Sequence, residues 1–205
     1  MTTAESEHII KAMPCIVTRM RSVCNISDKT LLQLASYLTP CTFPKKHKLI
    51  VDYARCRYAY FMENGLTRSY WLVDGQEITT SFSTSGAIVF SMDELYYNIP
   101  SQEYVETINP CQAFRISIDD IRHLFDTNIE IANWGRIIHQ DEYRRLHRSH
   151  KERLTLPARD RYEAFSLQFP EICQKVPLGY IASYLGLTLP TLSRIRRNNL
   201  SYDKF

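Results

Sequence analysis

The sequence lacks the features that mark several large classes of protein. Its six cysteines form no C-x-x-C pair, the spacing typical of zinc, iron–sulfur and thiol-redox sites. It has no apolar run of about eighteen residues, so no transmembrane helix is expected. The first residues, MTTAESEHII, have no basic region before an apolar run, so no secretory signal is predicted. These absences predict a cytoplasmic protein with reduced thiols and no membrane partner.

Motifs for catalysis are missing as well. The sequence has no Gly-rich phosphate loop, nucleophile elbow or H-E-x-x-H. His139, His147 and His150 lie on one basic segment without clustered carboxylates, which favours a solvated helix over a metal site. We therefore expect no enzyme, no catalytic residue, no metal and no cofactor. For the cysteines we favour small buried side chains over a redox sensor at Cys15 and Cys24.

One stretch, PLGYIASYLGLTLPTLSRIRRNN at 177–199, predicts two short helices joined by a tight turn. Apolar residues recur at helical spacing before Gly186, a residue that favours the positive φ at a helix end. Thr188 can cap the next helix, whose Leu192 and Ile195 face inward. The remaining side chains of the second helix are small, polar or cationic, which suits the DNA major groove. The pattern predicts a helix-turn-helix, and the alternative is a helical hairpin with a solvated basic face.

Charge is distributed unevenly along the 205 residues. Residues 1–133 carry 12 Lys/Arg and 15 Asp/Glu. Residues 134–205 carry 13 Lys/Arg and 7 Asp/Glu. An acidic body followed by a basic C-terminal third is consistent with a sensor joined to a nucleic-acid-binding region.

The central region predicts a β-structure, and a long helix follows it. Short β-rich runs with Asn-Gly and Asp-Gly turns occupy about residues 41–118, which favours a closed sandwich or barrel. In the helix, Ile131, Trp134 and Ile138 form one apolar stripe, and Tyr143 and Leu146 form a displaced second stripe. We favour dimerisation through Ile131, Trp134 and Ile138 over packing of this stripe on the protein's own barrel.

Taken in order, these elements resemble the Crp/Fnr family of bacterial transcription regulators. The resemblance rests on VPLGYIASYLGLTLPTLSRIRR and on the strand-turn series FMENGLTRSYWLVDGQEITTSF. It implies an α+β fold: an N-terminal cyclic-nucleotide-binding-like jelly roll, a long dimerisation helix and a C-terminal winged-helix-like helix-turn-helix. The implied boundaries are 1–126 for the effector domain, 127–152 for the dimerisation helix and 153–205 for the DNA-binding domain.

The effector region departs from the pattern of the cyclic-AMP-binding members of that family. Those members hold the nucleotide with a Gly-Glu pair and an Arg-Ser pair. Alignment brings Phe90 and Ser91 to the first pair and Ser101 and Gln102 to the second. Neither the glutamate nor the arginine is present, and without the cation the pocket loses charge-assisted hydrogen bonds to phosphate. We expect an unknown effector, if any, and not cyclic AMP.

The resemblance also implies the DNA contacts. Arg194 falls on a base-reading arginine and would bond guanine O6 and N7, whereas Arg197 would neutralise phosphate. The expected DNA-binding residues are Thr188, Leu189, Pro190, Thr191, Ser193, Arg194 and Arg197. The implied function is a homodimeric, sequence-specific transcription regulator, with RNA polymerase as a further partner that the resemblance allows. The alternative is a non-catalytic jelly-roll ligand-binding module whose C-terminal helices bind a protein.

Overall fold

The computed structural model describes the backbone of residues 2–202 and the side chains of residues 2–198. The helices begin and end where capping residues and prolines predict. Ser27 accepts the Thr30 N–H at the start of one helix, and Ser117 accepts the Asp120 N–H at the start of another. The α-helices are α1 Thr3–Lys11, α2 Pro14–Val23, α3 Asp28–Ala35, α4 Ile118–Thr127, α5 Ile129–Thr155, α6 Ala158–Gln168, α7 Pro170–Lys175, α8 Leu178–Leu185 and α9 Leu189–Tyr202.

The strands form two four-stranded sheets between α3 and α4. One sheet has the order β1-β8-β3-β6 and the other the order β2-β7-β4-β5. Their bounds are β1 Thr39–Phe43, β2 Lys48–Ile50, β3 Tyr58–Asn64, β4 Thr67–Val73, β5 Gln76–Ser83, β6 Ile88–Val89, β7 Tyr104–Thr107 and β8 Cys111–Ser117. A short π-helix, Asp93–Tyr97, lies between β6 and β7.

These elements confirm the predicted α+β fold class, with a jelly-roll-like β-structure followed by a long helix and a C-terminal helix-turn-helix. The β3–β8 pair is antiparallel, with Phe61 opposite Phe114, and β1 pairs antiparallel with the other edge of β8. No strand follows α6 within residues 2–202, so helices alone form the helix-turn-helix there.

The chain divides into two compact units. The first contains the chain up to Ser69 together with Phe82–Asp141, and the second contains Tyr70–Ser81 and the chain from Glu142 onward. The division falls within α5 and within the β4–β5 hairpin. The sequence does not reveal a division at these places, because the apolar periodicity of a helix and the turn residues of a hairpin continue across it.

The core of the first unit lies between the sheet that contains β3 and β8 and the helices α1 to α5. Met13, Ile16 and Leu34 of the N-terminal helices pack there with Phe61 of β3 and Ile121 of α4, all at most 1% exposed. Pro14 starts α2 instead of bending one long helix, because proline is tolerated only in a first turn.

Candidate nucleic-acid interface and effector region

The helix-turn-helix forms as the sequence predicts. Gly186 ends α8 with φ of 64°, and the Leu187 N–H donates to the Ala182 carbonyl at 2.9 Å. Thr188 precedes α9 and its hydroxyl accepts the Thr191 N–H at 3.3 Å. The turn therefore depends on one residue that tolerates positive φ and one that caps the next helix.

The inward face of this motif is apolar and closely packed. Ile181, Ala182 and Leu185 of α8 are at most 5% exposed, and Leu192 of α9 is fully buried. Ala182 is small, which allows the two helices to approach closely. Behind them, Phe165 of α6 lies 5.3 Å from the ring of Tyr184. The buried face thus fixes which side of α9 points outward.

The outward face of α9 carries most of the residues predicted to bind DNA. Thr191 is half-buried, while six of these residues are exposed, namely Thr188, Leu189, Pro190, Ser193, Arg194 and Arg197. Arg194 forms no ion pair among the described residues, so its guanidinium is available to a ligand. Arg196 turns inward instead, close enough to Cys173 to oppose the effect of burial on the pKa of that thiol. The exposed cations of α9 within the described side chains are therefore Arg194 and Arg197, one fewer than the sequence indicates.

Hydrogen bonds to three other elements, α6, α5 and β5, hold the motif in place, and sequence patterns did not reveal them. Arg161 of α6 donates to the Leu185 carbonyl at 2.7 Å, at the end of α8 where carbonyls lack helical partners. Arg145 of α5 donates to the Tyr184 hydroxyl at 3.1 Å. The Ser183 hydroxyl accepts the Thr79 N–H at 2.9 Å and donates to the Glu77 carbonyl at 3.0 Å. Ser183 thereby joins α8 to β5 within the second unit.

Of the four residues aligned with a nucleotide pocket, the two serines form hydrogen bonds inside their own segment. Ser91 and Ser101 are at most 1% exposed, and their hydroxyls accept the N–H groups of Glu94 and Glu103. Phe90 is half-buried, with its ring 5.7 Å from His139. Gln102 is exposed. The structure places these residues on either side of the π-helix, and the two serine hydroxyls already bind N–H groups there.

Carboxylates occupy the places where an anionic ligand would need donors. Asp93 accepts the Gln102 N–H at 2.9 Å, and Glu94 pairs with Arg55 at 2.7 Å. Burial, and then the charge of Asp93, raise the pKa of Glu103 to about 7. Arg55 comes from a distant part of the sequence, and Glu94 already neutralises it. The charged groups of the described segment are therefore carboxylates and one arginine that is already paired.

The first stripe of α5 lies in the core of the first unit and not on an exposed face. Ile131 and Trp134 are 1% and 3% exposed, and Ile138 is half-buried against the same core. Trp134 stacks on Phe61 with ring centroids 5.6 Å apart. Assigning these three residues to a dimer interface is thus not supported, because apolar periodicity alone does not distinguish a helix that packs on its own domain from one that packs on another chain.

Two of the six cysteines, Cys56 and Cys111, are buried as expected, three are half-buried, and Cys15 is exposed. All six are free thiols, and the structure brings no three of His, Cys, Asp and Glu together as a metal site within residues 2–198. Burial raises the pKa of Cys24, and a hydrogen bond with Glu63 raises that of Cys15. A raised thiol pKa lowers the thiolate fraction, which makes a redox sensor at these two positions less favourable.

Solved structures with the same arrangement of elements are regulators. FixK2 from Bradyrhizobium japonicum superposes with a TM-score of 0.70 and 20% identity, over 81% of this chain and 86% of that one. The regulator CLP of Xanthomonas campestris, described as responsive to c-di-GMP, superposes with a TM-score of 0.68 and 14% identity. The match covers 86% of this chain and 93% of CLP. A putative Crp/Fnr-family regulator from Eubacterium rectale superposes with a TM-score of 0.68 and 16% identity. The match covers 86% of this chain and 85% of that one.

This chain has the fold of the Crp/Fnr regulators. No protein-family profile and no curated protein sequence matches it. Among the described residues, no helix is both long enough and apolar enough to cross a membrane. The structural likeness covers both the β-structure and the C-terminal helices, so the Crp/Fnr arrangement extends over most of the chain.

Proposed function

We propose that this protein is a sequence-specific DNA-binding transcription regulator that works as a homodimer. The observation that carries the proposal is the outward face of α9, where Ser193 and Arg194 are exposed behind a turn fixed by Gly186 and Thr188. A helix positioned in this way can enter the major groove with its first turns against the base edges. In a two-fold dimer the two helices would read half-sites one helical turn apart, roughly 34 Å.

Arg194 is the side chain that we assign to base reading. It projects from the exposed face and is not used in an ion pair among the described residues. A guanidinium that bonds guanine O6 and N7 contributes about 1–3 kcal/mol of discrimination against other bases. Arg197 lies one turn further along the helix, and we assign it to phosphate, where its effect would not depend on sequence.

We propose further that cyclic AMP is not the effector. A cyclic phosphate needs a cation and converging N–H groups, whereas this segment presents Asp93, Glu94 and Glu103 and uses the Gln102 N–H internally. Negative charge at that position would repel the phosphate. Any effector of this protein would therefore be chemically different from a cyclic nucleotide.

The test is selection of bound sequences from a pool of random duplex DNA. We expect enrichment of a two-fold palindrome, and Arg194→Ala should lose preference at one base pair in each half-site. Arg57→Ala is the matched control, because Arg57 is an exposed arginine outside the helix-turn-helix. Retention that is weak, independent of sequence and unaffected by either variant would contradict the proposal. Such a result would favour a ligand-binding module whose C-terminal helices bind a protein.

A further inference from the structure

Two arginine side chains from different helices meet beside the turn of the helix-turn-helix. Arg153 lies in the last turn of α5, and Arg161 lies near the start of α6. A Cβ built on Gly186 would be 3.6 Å from Arg153 Nη2 and 3.6 Å from Arg161 Nη1. The two guanidinium groups are therefore separated by no more than roughly 7 Å, a distance at which physiological salt does not fully screen their repulsion.

The protein's own contacts account for only one of these two charges. Arg161 Nη1 donates to the Leu185 carbonyl at 2.7 Å, and a cation is favourable at the C-terminal end of a helix such as α8. Arg153 is exposed and forms neither a hydrogen bond nor an ion pair among the described residues. A second cation is thus held at the turn without a partner.

The acidic residues nearest in the sequence do not neutralise the pair. Glu163 is bonded to Arg159 at 2.7 Å. Glu152 and Asp160 form no ion pair among the described residues, although Glu152 lines the same small cleft as the two arginines. Two like charges this close raise the energy of the folded protein, and an anion placed between them would lower it.

The geometry of the pair suits a phosphate. Arg153 directs both Nε and Nη2 towards the space above Gly186, at 3.7 Å and 3.6 Å from the Cβ position. This edge of a guanidinium can donate two parallel hydrogen bonds to two oxygens of one phosphate. Gly186 is exposed and has no side chain, so the space between the two groups stays open to a ligand.

The place of the pair in the motif indicates which phosphate it meets. In a bound helix-turn-helix the first helix crosses the DNA backbone and the second enters the major groove. Gly186 lies between these two helices, and the exposed Thr188 follows it at the start of α9. The backbone at the edge of the groove would therefore pass beside the two arginines.

We propose that Arg153 and Arg161 form a site beside the turn that binds a phosphate of the DNA backbone. This inference rests on the proposed DNA-binding function and adds two residues from outside α8 and α9 to the contact. A phosphate contact fixes how the protein sits on the duplex and carries no sequence information of its own.

The dependence of DNA affinity on salt tests this assignment, measured by fluorescence anisotropy of the full chain with labelled duplex. Arg153→Gln should weaken binding about 10-fold, equally for the selected palindrome and for unrelated duplex. The slope of log affinity against log salt should become less negative by about 0.9 for each half-site. Arg161→Gln should change the slope in the same way, at temperatures where circular dichroism shows that this variant is folded.

Arg144→Gln is the matched control, because Arg144 is an exposed arginine of the same helix. It precedes Arg153 by about two and a half helical turns and so lies on the opposite side of α5. This variant should bind DNA with the slope of the wild type. Arg153→Gln and Arg144→Gln should both keep the urea midpoint of the wild type, since neither side chain has a partner among the described residues.

Neutral methylphosphonate groups, placed one at a time along each half-site, locate the contact. At the bound phosphate the substitution should weaken the wild type and have no further effect on Arg153→Gln. An unchanged slope in Arg153→Gln, an equal change in the Arg144 control, or identical methylphosphonate profiles for wild type and Arg153→Gln would each overturn the assignment. Saturable binding of inorganic phosphate that Arg153→Gln abolishes, together with an unchanged slope, would assign the pair to a free anion instead.

The DNA selection separates this inference from the proposed function. A palindrome enriched by the wild type, with an unchanged slope in Arg153→Gln, would reject the phosphate site and keep the regulator. A changed slope in Arg153→Gln without any enriched sequence would keep the phosphate site and reject sequence-specific regulation.

Discussion

The carboxylate of Asp93 accepts the backbone N–H of Gln102 at 2.9 Å, which joins the first residue of the π-helix to the segment before β7. A nucleotide would need to displace a charged acceptor from that N–H. It would also bring its own charge close to Glu94 and Glu103.

The protein is expected not to bind cyclic AMP at millimolar concentration. The physical reason is the pair of carboxylates of Asp93 and Glu94 in the π-helix, with Arg55 already paired. Isothermal titration calorimetry of the full chain is the measurement. Saturable heat with a micromolar dissociation constant would show that the segment rearranges, and would refute this prediction.

The contribution of Glu103 to the free energy of unfolding should fall as the pH rises from about 4.5 to about 7, because the pKa of its carboxyl is raised to about 7 in the folded protein. The folded state holds this proton to a higher pH than the unfolded state does, so deprotonation favours unfolding, by up to about 3 kcal/mol. Glu103→Gln should therefore raise the urea midpoint at pH 8 and leave it unchanged at pH 4. The exposed Glu7→Gln is the control and should change neither midpoint. Equal effects of Glu103→Gln at both pH values would show that the carboxyl is not protonated in the folded protein.

Gly186, which follows the last residue of α8, and Gly179, which lies inside α8, should respond to alanine in opposite directions. Gly186 has φ of 64°, so Gly186→Ala should destabilise the protein by about 1–2 kcal/mol, through the backbone alone, because the new Cβ meets nothing closer than 3.6 Å. Gly179 is helical with open space around it, so Gly179→Ala should stabilise by up to about 1 kcal/mol. Denaturant unfolding monitored by circular dichroism measures both changes. A Gly186→Ala variant as stable as the wild type would argue against the turn geometry at Gly186, and a loss of stability in Gly179→Ala would argue against open space at Gly179.

Truncation of Trp134 should act within one chain. Trp134 is 3% exposed and stacks on Phe61, so Trp134→Ala should cost about 3–5 kcal/mol of the free energy of unfolding. The measurement is urea unfolding of the wild type and the variant at several protein concentrations. The loss should be the same at each concentration. If the loss instead grows with protein concentration, Trp134 contributes to a dimer interface.

The sequence by itself determined the helix-turn-helix. Its apolar spacing, Gly186 and Thr188 are local signals, because a helix end and a cap depend on residues only a few positions apart. The β-rich region was determined in the same way by its turns, and its limits, Thr39 and Ser117, fall within two residues of the predicted ones. The short helix α7 is not predicted by the sequence, because its six residues are too few to show an apolar periodicity.

Only the tertiary structure decided which stripe of α5 is buried and which is exposed. Both stripes have helical spacing, and the choice between them depends on where Phe61 and the N-terminal helices lie, at positions distant in the sequence. The same is true of the hydrogen bonds of Ser183, Arg161 and Arg55. Their partners lie 106, 24 and 43 residues away in the sequence, respectively. A long-range contact carries no local pattern, since it is formed when folding brings complementary groups together.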